Sequence, residues 1–266
     1  MRALFSAAIA ASLASAQSND VQAQYPDWAT YMSYWQYSWD PIPFTTSDGQ
    51  TLTIMHSKGS TAGIFGHQDT TGGNPVLVIP LINSDPHRIL YSNMVHQDTD
   101  IQTPMTLALA DQGFDVYYLF SRGSMYSTEN ANYDVSDAGF WDFTFQSQGE
   151  IDFAEAVEKV NALTGKKVSI ISYSLSNSAL LSGFAQDPNG TYSSKVDKVA
   201  MMIPCRVPTT GFAPYLNASV LANLFENEIF ELGGPTWWQT IIKLRDAQGL
   251  GFVRTLIGDW GISRTS

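Results

Sequence analysis

Apolar positions along the chain gather into short continuous runs separated by stretches of helical period. The runs are Val76 to Ile82 (VLVIPLI), Phe114 to Phe120 (FDVYYLF), Val168 to Ile171, and Val196 to Ile203. Runs of this length predict strands buried on both faces of a parallel sheet. Pro80 is expected to end the first, because proline offers no ladder N–H. Between the runs, Thr103 to Gln112 carries Pro104 in its first turn and is closed by Gly113, which predicts a helix. A second helix is expected before Thr164, with Phe153, Ala156, Val157, Val160 and Leu163 on one stripe. Upstream of all of these, Pro43 to Lys58 alternates on either side of Asp48-Gly49, the residue pair that a tight hairpin turn demands. Strand and helix thus alternate as in parallel β-α-β units, and the class is α/β.

The ends of the chain read differently. Residues 1–16, MRALFSAAIAASLASA, have one basic residue, a short apolar core and a small-x-small close, so they are expected to be a secretory signal peptide. From Gln17 to Asp40 the chain is dense in aromatics, for which packing on the domain is the expectation. Residues 17–208 are assigned to the α/β core. Residues 209–266 are helical in pattern and carry Leu221, Leu224, Phe225, Ile229, Phe230, Trp237 and Trp238, which suits a cap-like segment.

With 266 residues and 44% hydrophobic side chains there is enough chain for one large domain. Lys and Arg total 14 against 25 Asp and Glu, a formal charge of -11. Nucleic acid is therefore an unsuitable partner, since phosphate binding needs a basic face. No apolar run reaches the length of a membrane-spanning helix. The single cysteine, Cys205, reads as a small buried hydrophobe. Neither it nor the histidines have metal-ligand spacing, and no glycine-rich phosphate loop occurs, so no cofactor is expected. Asn189-Gly-Thr and Asn217-Ala-Ser are usable glycosylation sequons in a secretory route.

The chemistry centres on Gly165 to Leu181, GKKVSIISYSLSNSALL. An apolar strand stops at Ser172-Tyr173-Ser174-Leu175-Ser176, and a small, apolar, helix-compatible segment follows. Strand, tight turn and helix in this order present a nucleophilic serine in α/β-hydrolases, usually as G-x-S-x-G. Here both glycine positions are serine, and serine tolerates a strained backbone less readily.

Four blocks of the chain together resemble the acid lipases, the gastric and lysosomal group of α/β-hydrolases. They are Ser47-Asp48-Gly49-Gln50-Thr51-Leu52; Gly113-Phe114-Asp115-Val116 with Ser121-Arg122-Gly123-Ser124-Met125-Tyr126-Ser127; Phe140-Trp141-Asp142-Phe143-Thr144-Phe145 with Glu150-Ile151-Asp152; and Gly165-Lys166-Lys167-Val168 with Ser174. The likeness covers about residues 43–245. It implies an α/β-hydrolase fold, incomplete at the C-terminus and followed by part of a helical cap. It also implies hydrolysis of lipid carboxylic esters, triacylglycerol or sterol ester, with Ser174 as nucleophile and the N–H groups of Leu81 and Leu175 as oxyanion donors. The implied partners are lipid esters and, peripherally, lipid surfaces; the implied location is secreted or lumenal.

Two departures stand against that likeness. The family's G-H-S-Q-G is Ser172-Tyr173-Ser174-Leu175-Ser176 here, and its His-Gly-Leu loop is Ile79-Pro80-Leu81. The four histidines, His56, His67, His87 and His96, all precede Ser174, whereas this fold takes its acid and then its histidine from downstream. Asp259 is the last carboxylate and falls in the cap-like segment, so it is not assigned as the orienting acid. Without a base, hydrolysis by this polypeptide is expected to be impaired. A non-catalytic lipid- or partner-binding relative is the alternative expectation, and a truncated product with an uncovered sheet edge is a third.

Overall fold

The computed structural model describes residues 24–60, 69–80, 94–96 and 102–204. The signal-type segment 1–16, Leu81, Cys205, His67, His87 and the cap-like segment 209–266 lie outside these residues. Of His96 only the backbone is described.

Helix α1 (Pro26–Trp35) leads into β1 (Tyr37–Thr45) and β2 (Gln50–Ser60), which pair antiparallel as the expected hairpin. In its turn Gly49 sits at φ +91° and donates its N–H to the Thr46 carbonyl at 2.9 Å. Strand β3 (Pro75–Ile79) stops before Pro80, and α2 (Met105–Asp111) is followed by β4 (Asp115–Phe120). A π-helical segment, Gln148–Phe153, runs into α3 (Ala154–Thr164); then come β5 (Val168–Tyr173), α4 (Leu175–Ala185) and β6 (Val196–Met202). The strand order is β1-β2-β4-β3-β5-β6, with the two-residue strand Glu129–Asn130 beside β2. Strands β4, β3, β5 and β6 are mutually parallel, and β2 is antiparallel to β4. An antiparallel entry hairpin feeding a parallel sheet with helical crossovers is the α/β-hydrolase arrangement.

Side chains alternate across this sheet, so each central strand feeds two cores. Val76 and Val78 of β3 join Val116, Tyr118 and Phe120 of β4 on one face, together with Trp28, Met32 and Leu107. Leu77, Ile79, Tyr117 and Leu119 join Phe153, Val157, Val160, Ala179 and Leu180 on the other. The aromatic arm does more than cover the surface, since Trp28 and Met32 are fully buried and the Trp28 ring meets Tyr118 edge-on at 5.1 Å. Two expectations are corrected. Leu163 is 52% exposed, because it lies at the fringe of the α3 stripe in the helix's last turn. Strand β6 is no buried strand: it is the outer strand among the described residues, and each of its positions is half-buried or exposed.

Two features fix α3, α4 and the loops near the sheet's C-terminal edge. First, the π-helical segment and α4 touch backbone to backbone. A Cβ on Gly149 would lie 1.8 Å from the Ala179 carbonyl oxygen, and one on Gly183 would lie 2.3 Å from the Gly149 oxygen. Second, three of the sequence blocks meet in one ion network, buried at Arg122 and Asp152 and open to solvent at Asp48. Arg122 donates from Nε to both Asp152 oxygens at 2.9 and 3.0 Å, and from one terminal nitrogen at 2.6 Å. Its other terminal nitrogen reaches Asp48 in the hairpin turn at 2.8 Å, and the guanidinium lies 5.5 Å from the centre of the Phe143 ring. Burial pushes the Asp152 carboxyl up to about 6, with the Arg122 fork opposing it. Asp48, despite partial burial, is held below its ordinary value by Arg122 and Thr46. The SRG and FWDF blocks are thus legible as a clamp between loops.

Gly149→Ala is expected to destabilise the fold by about 3 kcal/mol, because the added methyl has rigid backbone in its way; urea denaturation measures it. Arg122→Met is expected to cost about 3–5 kcal/mol at pH 8, where Asp152 is left as a buried unpaired charge. Since folding raises the Asp152 pKa above its ordinary 3.8, the folded state holds more protons than the unfolded one between those values, and this group's contribution falls as pH rises through the window. The penalty of Arg122→Met should therefore be smaller at pH 5 than at pH 8, as paired denaturation curves would show.

Candidate active site

Ser174 is the single residue between β5 and α4, at φ 48° and ψ −117°. For a residue with a Cβ this lies outside the broad allowed regions, and holding it there costs about 1–3 kcal/mol. Such strain persists only where the surroundings over-determine it, and here they do. The Ser174 N–H donates to the Met202 carbonyl at the end of β6, 2.9 Å away, and the Asn177 N–H returns to the Ser174 carbonyl at 3.1 Å. The Asn177 side chain donates from Nδ2 to the Ser174 carbonyl at 2.9 Å and to the Met202 carbonyl at 3.1 Å.

The three serines of the turn now separate by environment. Ser172 and Ser176 are fully buried, while Ser174 is half-buried. The Ser172 hydroxyl donates to Asn177 Oδ1, and the Ser176 hydroxyl donates to the Pro80 carbonyl. Serine tolerates a strained backbone less readily than glycine, yet the turn is formed and both extra hydroxyls are bonded, one of them tying α4 to Pro80 just after β3. Leu175 opens α4, so its N–H has no partner within the helix. Leu81, the other donor expected from the sequence, follows Pro80 and lies outside the described residues. Ile203, immediately after β6, is 74% exposed and also has positive φ, so an apolar side chain stands in solvent at the same end of the sheet.

Among the described residues the one histidine side chain is that of His56, and it is committed elsewhere. His56 Nε2 lies 2.5 Å from Asp115 Oδ1, the ring stacks on Tyr117 with centroids 4.3 Å apart, and the Tyr117 hydroxyl donates to the other Asp115 oxygen at 2.9 Å. Asp115 pairs with Pro75 at the start of β3, whereas Ser172 pairs with Ile79 at its end. About six residues of strand, roughly 20 Å, therefore separate the pair from Ser174. The backbone around His96 is a short strand paired with Gln102–Pro104. No group of three or more metal-ligating side chains occurs among the described residues.

Sequence reasoning found the turn and missed Asn177. Nothing in the order S-x-S-x-S-N tells that the asparagine folds back on the turn; only its closeness to Met202, 25 residues on, gives it that place.

No family model matches the chain. Among curated proteins it is 27% identical over 168 residues to triacylglycerol lipase 2 of Arabidopsis thaliana, covering 63% of this chain and 38% of that one. It is 25% identical over 179 residues to gastric triacylglycerol lipase of Rattus norvegicus, covering 65% and 41%. The mouse gastric enzyme matches at 22% over 203 residues, covering 75% and 48%. The chain thus spans roughly two fifths to one half of the length of these relatives. Solved structures with a similar backbone include the Pyrococcus furiosus esterase Pf2001, at 12% identity and TM-score 0.43, covering 80% of this chain and 64% of that one. A brefeldin A esterase described as a bacterial homologue of human hormone-sensitive lipase matches at 16% identity and TM-score 0.42, covering 83% and 55%.

Proposed function

We propose that this chain, a lipase-family protein by its sequence relatives, carries at Ser174 the nucleophile of a lipid-ester hydrolase. The observation that carries the reading is the strained, half-exposed Ser174 between β5 and α4, with its two neighbouring serines buried and bonded. In the proposed reaction Ser174 Oγ attacks the ester carbonyl carbon as its proton passes to a base. The N–H of Leu175, with that of Leu81, stabilises the oxyanion. Collapse of the tetrahedral intermediate expels the alcohol, which takes up the proton. Water then attacks the acyl-serine, restores the Ser174 hydroxyl and releases the fatty acid.

The names of the relatives, triacylglycerol lipases, support triacylglycerol as the proposed substrate class; a sterol ester is the other lipid ester that the acid-lipase resemblance implies. Exposed Ile203 beside Met202 suits an apolar acyl chain and a peripheral contact with a lipid surface. No helix among the described residues is long and apolar enough to cross a membrane. The proposed location is secreted or lumenal, after removal of residues 1–16. No cofactor enters this chemistry.

Among the described residues no imidazole stands near Ser174. His56 is bound to Asp115 at the far end of the sheet, and the other three histidines of the sequence also precede Ser174. Ester hydrolysis by this polypeptide alone is therefore proposed to be slow, on the order of 10³ to 10⁴ over water, the level that triad enzymes retain without their base. The opposing reading is a non-catalytic relative that binds lipid.

Turnover of p-nitrophenyl butyrate is expected to be low but measurable and to disappear in Ser174→Ala with the melting temperature unchanged. Equal rates in both proteins would remove Ser174 from the reaction and favour the lipid-binding reading. Secretion has its own test. Asn189 and Thr191 are exposed in a turn closed by Gly190 at φ +68°, at the end of α4 away from Ser174. Protein made in a eukaryotic secretory host is expected to carry a glycan that peptide N-glycosidase removes, that Asn189→Gln abolishes in an Asn217→Gln background, and that leaves esterase rate unaffected. Protein that stays in the cytosol without a glycan would contradict secretion.

A further inference from the structure

We propose that Asn177 is a positioning residue that holds Ser174 in its exposed, positive-φ conformation, compensating for the glycines that this turn lacks. The inference deepens the assignment of Ser174 as nucleophile and rests on that reading. Three elements converge on the one side chain: the end of β5 through the Ser172 hydroxyl, the turn itself through the Ser174 carbonyl, and the end of β6 through the Met202 carbonyl. Asn177 is 1% exposed, so each of these bonds is made away from water.

Chemistry fixes the orientation of the amide. Two backbone carbonyls can only accept, so the nitrogen faces them, and the oxygen is left to accept from Ser172 Oγ. The arrangement uses both Nδ2 protons and one Oδ1 lone pair, and no other side chain of this size supplies two donors and an acceptor. A leucine of the same shape would leave both carbonyls buried without this partner. An aspartate would set carboxylate oxygen against carbonyl oxygen.

The geometry also explains why the turn does not relax. The Ser174 carbonyl accepts from both the backbone N–H and the side-chain Nδ2 of Asn177, at 3.1 and 2.9 Å. The Ser174 N–H and Asn177 Nδ2 share the Met202 carbonyl, at 2.9 and 3.1 Å. Rotation of Ser174 toward an ordinary φ moves its N–H or its carbonyl out of that paired cradle. Asn177 touches no reacting atom; it acts through the Ser174 backbone.

The test compares wild type with Asn177→Leu and with the milder Ser172→Ala, which removes only the bond to Oδ1. Two quantities are read: amide hydrogen exchange at Ser174, and the second-order rate at which a fluorophosphonate labels the protein. In Asn177→Leu the Ser174 amide is expected to exchange about tenfold faster or more, while amides of β3 and β4 keep their protection. Labelling is expected to slow by about tenfold to a hundredfold, with any esterase loss in kcat and not KM. Ser172→Ala should move both readouts the same way by a smaller factor, and it decides the matter if Asn177→Leu does not fold. Unchanged exchange and labelling would overturn the proposal, as would an exchange increase shared equally by β3 and β4, which marks general destabilisation. If wild type takes up no fluorophosphonate, the nucleophile assignment fails, and the exchange measurement still decides whether Asn177 holds the turn.

Discussion

A residue with a Cβ held at φ 48° and ψ −117° between a strand and a helix is the constraint that the surrounding structure has to satisfy. Strain of that kind does not survive unless neighbouring elements are fixed on every side of it. Pro80, the residue after β3, supplies its carbonyl to Ser176, β6 supplies the Met202 carbonyl to Ser174 and Asn177, and α4 is pressed against the π-helical segment where only glycine fits at Gly149 and Gly183. The two cores, one on each face of the sheet, hold these strands in register. The site is thus a consequence of sheet packing and not of the loop that displays it.

The sequence blocks that resemble the acid lipases divide into two kinds of physics. Ser174 and its turn carry the strained geometry on which the proposed nucleophile rests. Arg122, Asp152 and Asp48 carry none of it: they form an ion network, buried at Arg122 and Asp152, that joins the hairpin turn, the loop after β4 and the π-helical segment. Likewise Asp115, in the GFDV block, binds His56 and Tyr117 at the opposite end of the sheet. A motif can mark a family through the scaffold it builds as much as through the reaction it performs.

Much of this was legible along the chain. Continuous apolar runs gave β3, β4 and β5, because strands buried on both faces need no polar alternation. Asp48-Gly49 gave the hairpin, because positive φ is cheap there, and the apex at Ser174 followed from a strand ending abruptly before a small-residue helix. What was not legible depended on distant contacts. The half-exposed β6 reads like its buried neighbours, since Val199, Met201 and Met202 look the same in an outer strand as in an inner one. Leu163 fits the helical stripe yet sits in a last turn that the core does not cover. The serines at the two glycine positions looked like damage, and their bonds to Asn177 and Pro80 came into view only once β3 and α4 were side by side.

The central claim is that one hydroxyl among three in the turn is poised to attack. Incubation of the purified protein with a fluorophosphonate, followed by tryptic mapping of the Val168–Lys195 peptide, tests it directly. One adduct per chain on Ser174, with Ser172 and Ser176 unmodified, is the expected result. An adduct on a different serine, or none after prolonged exposure, would contradict it.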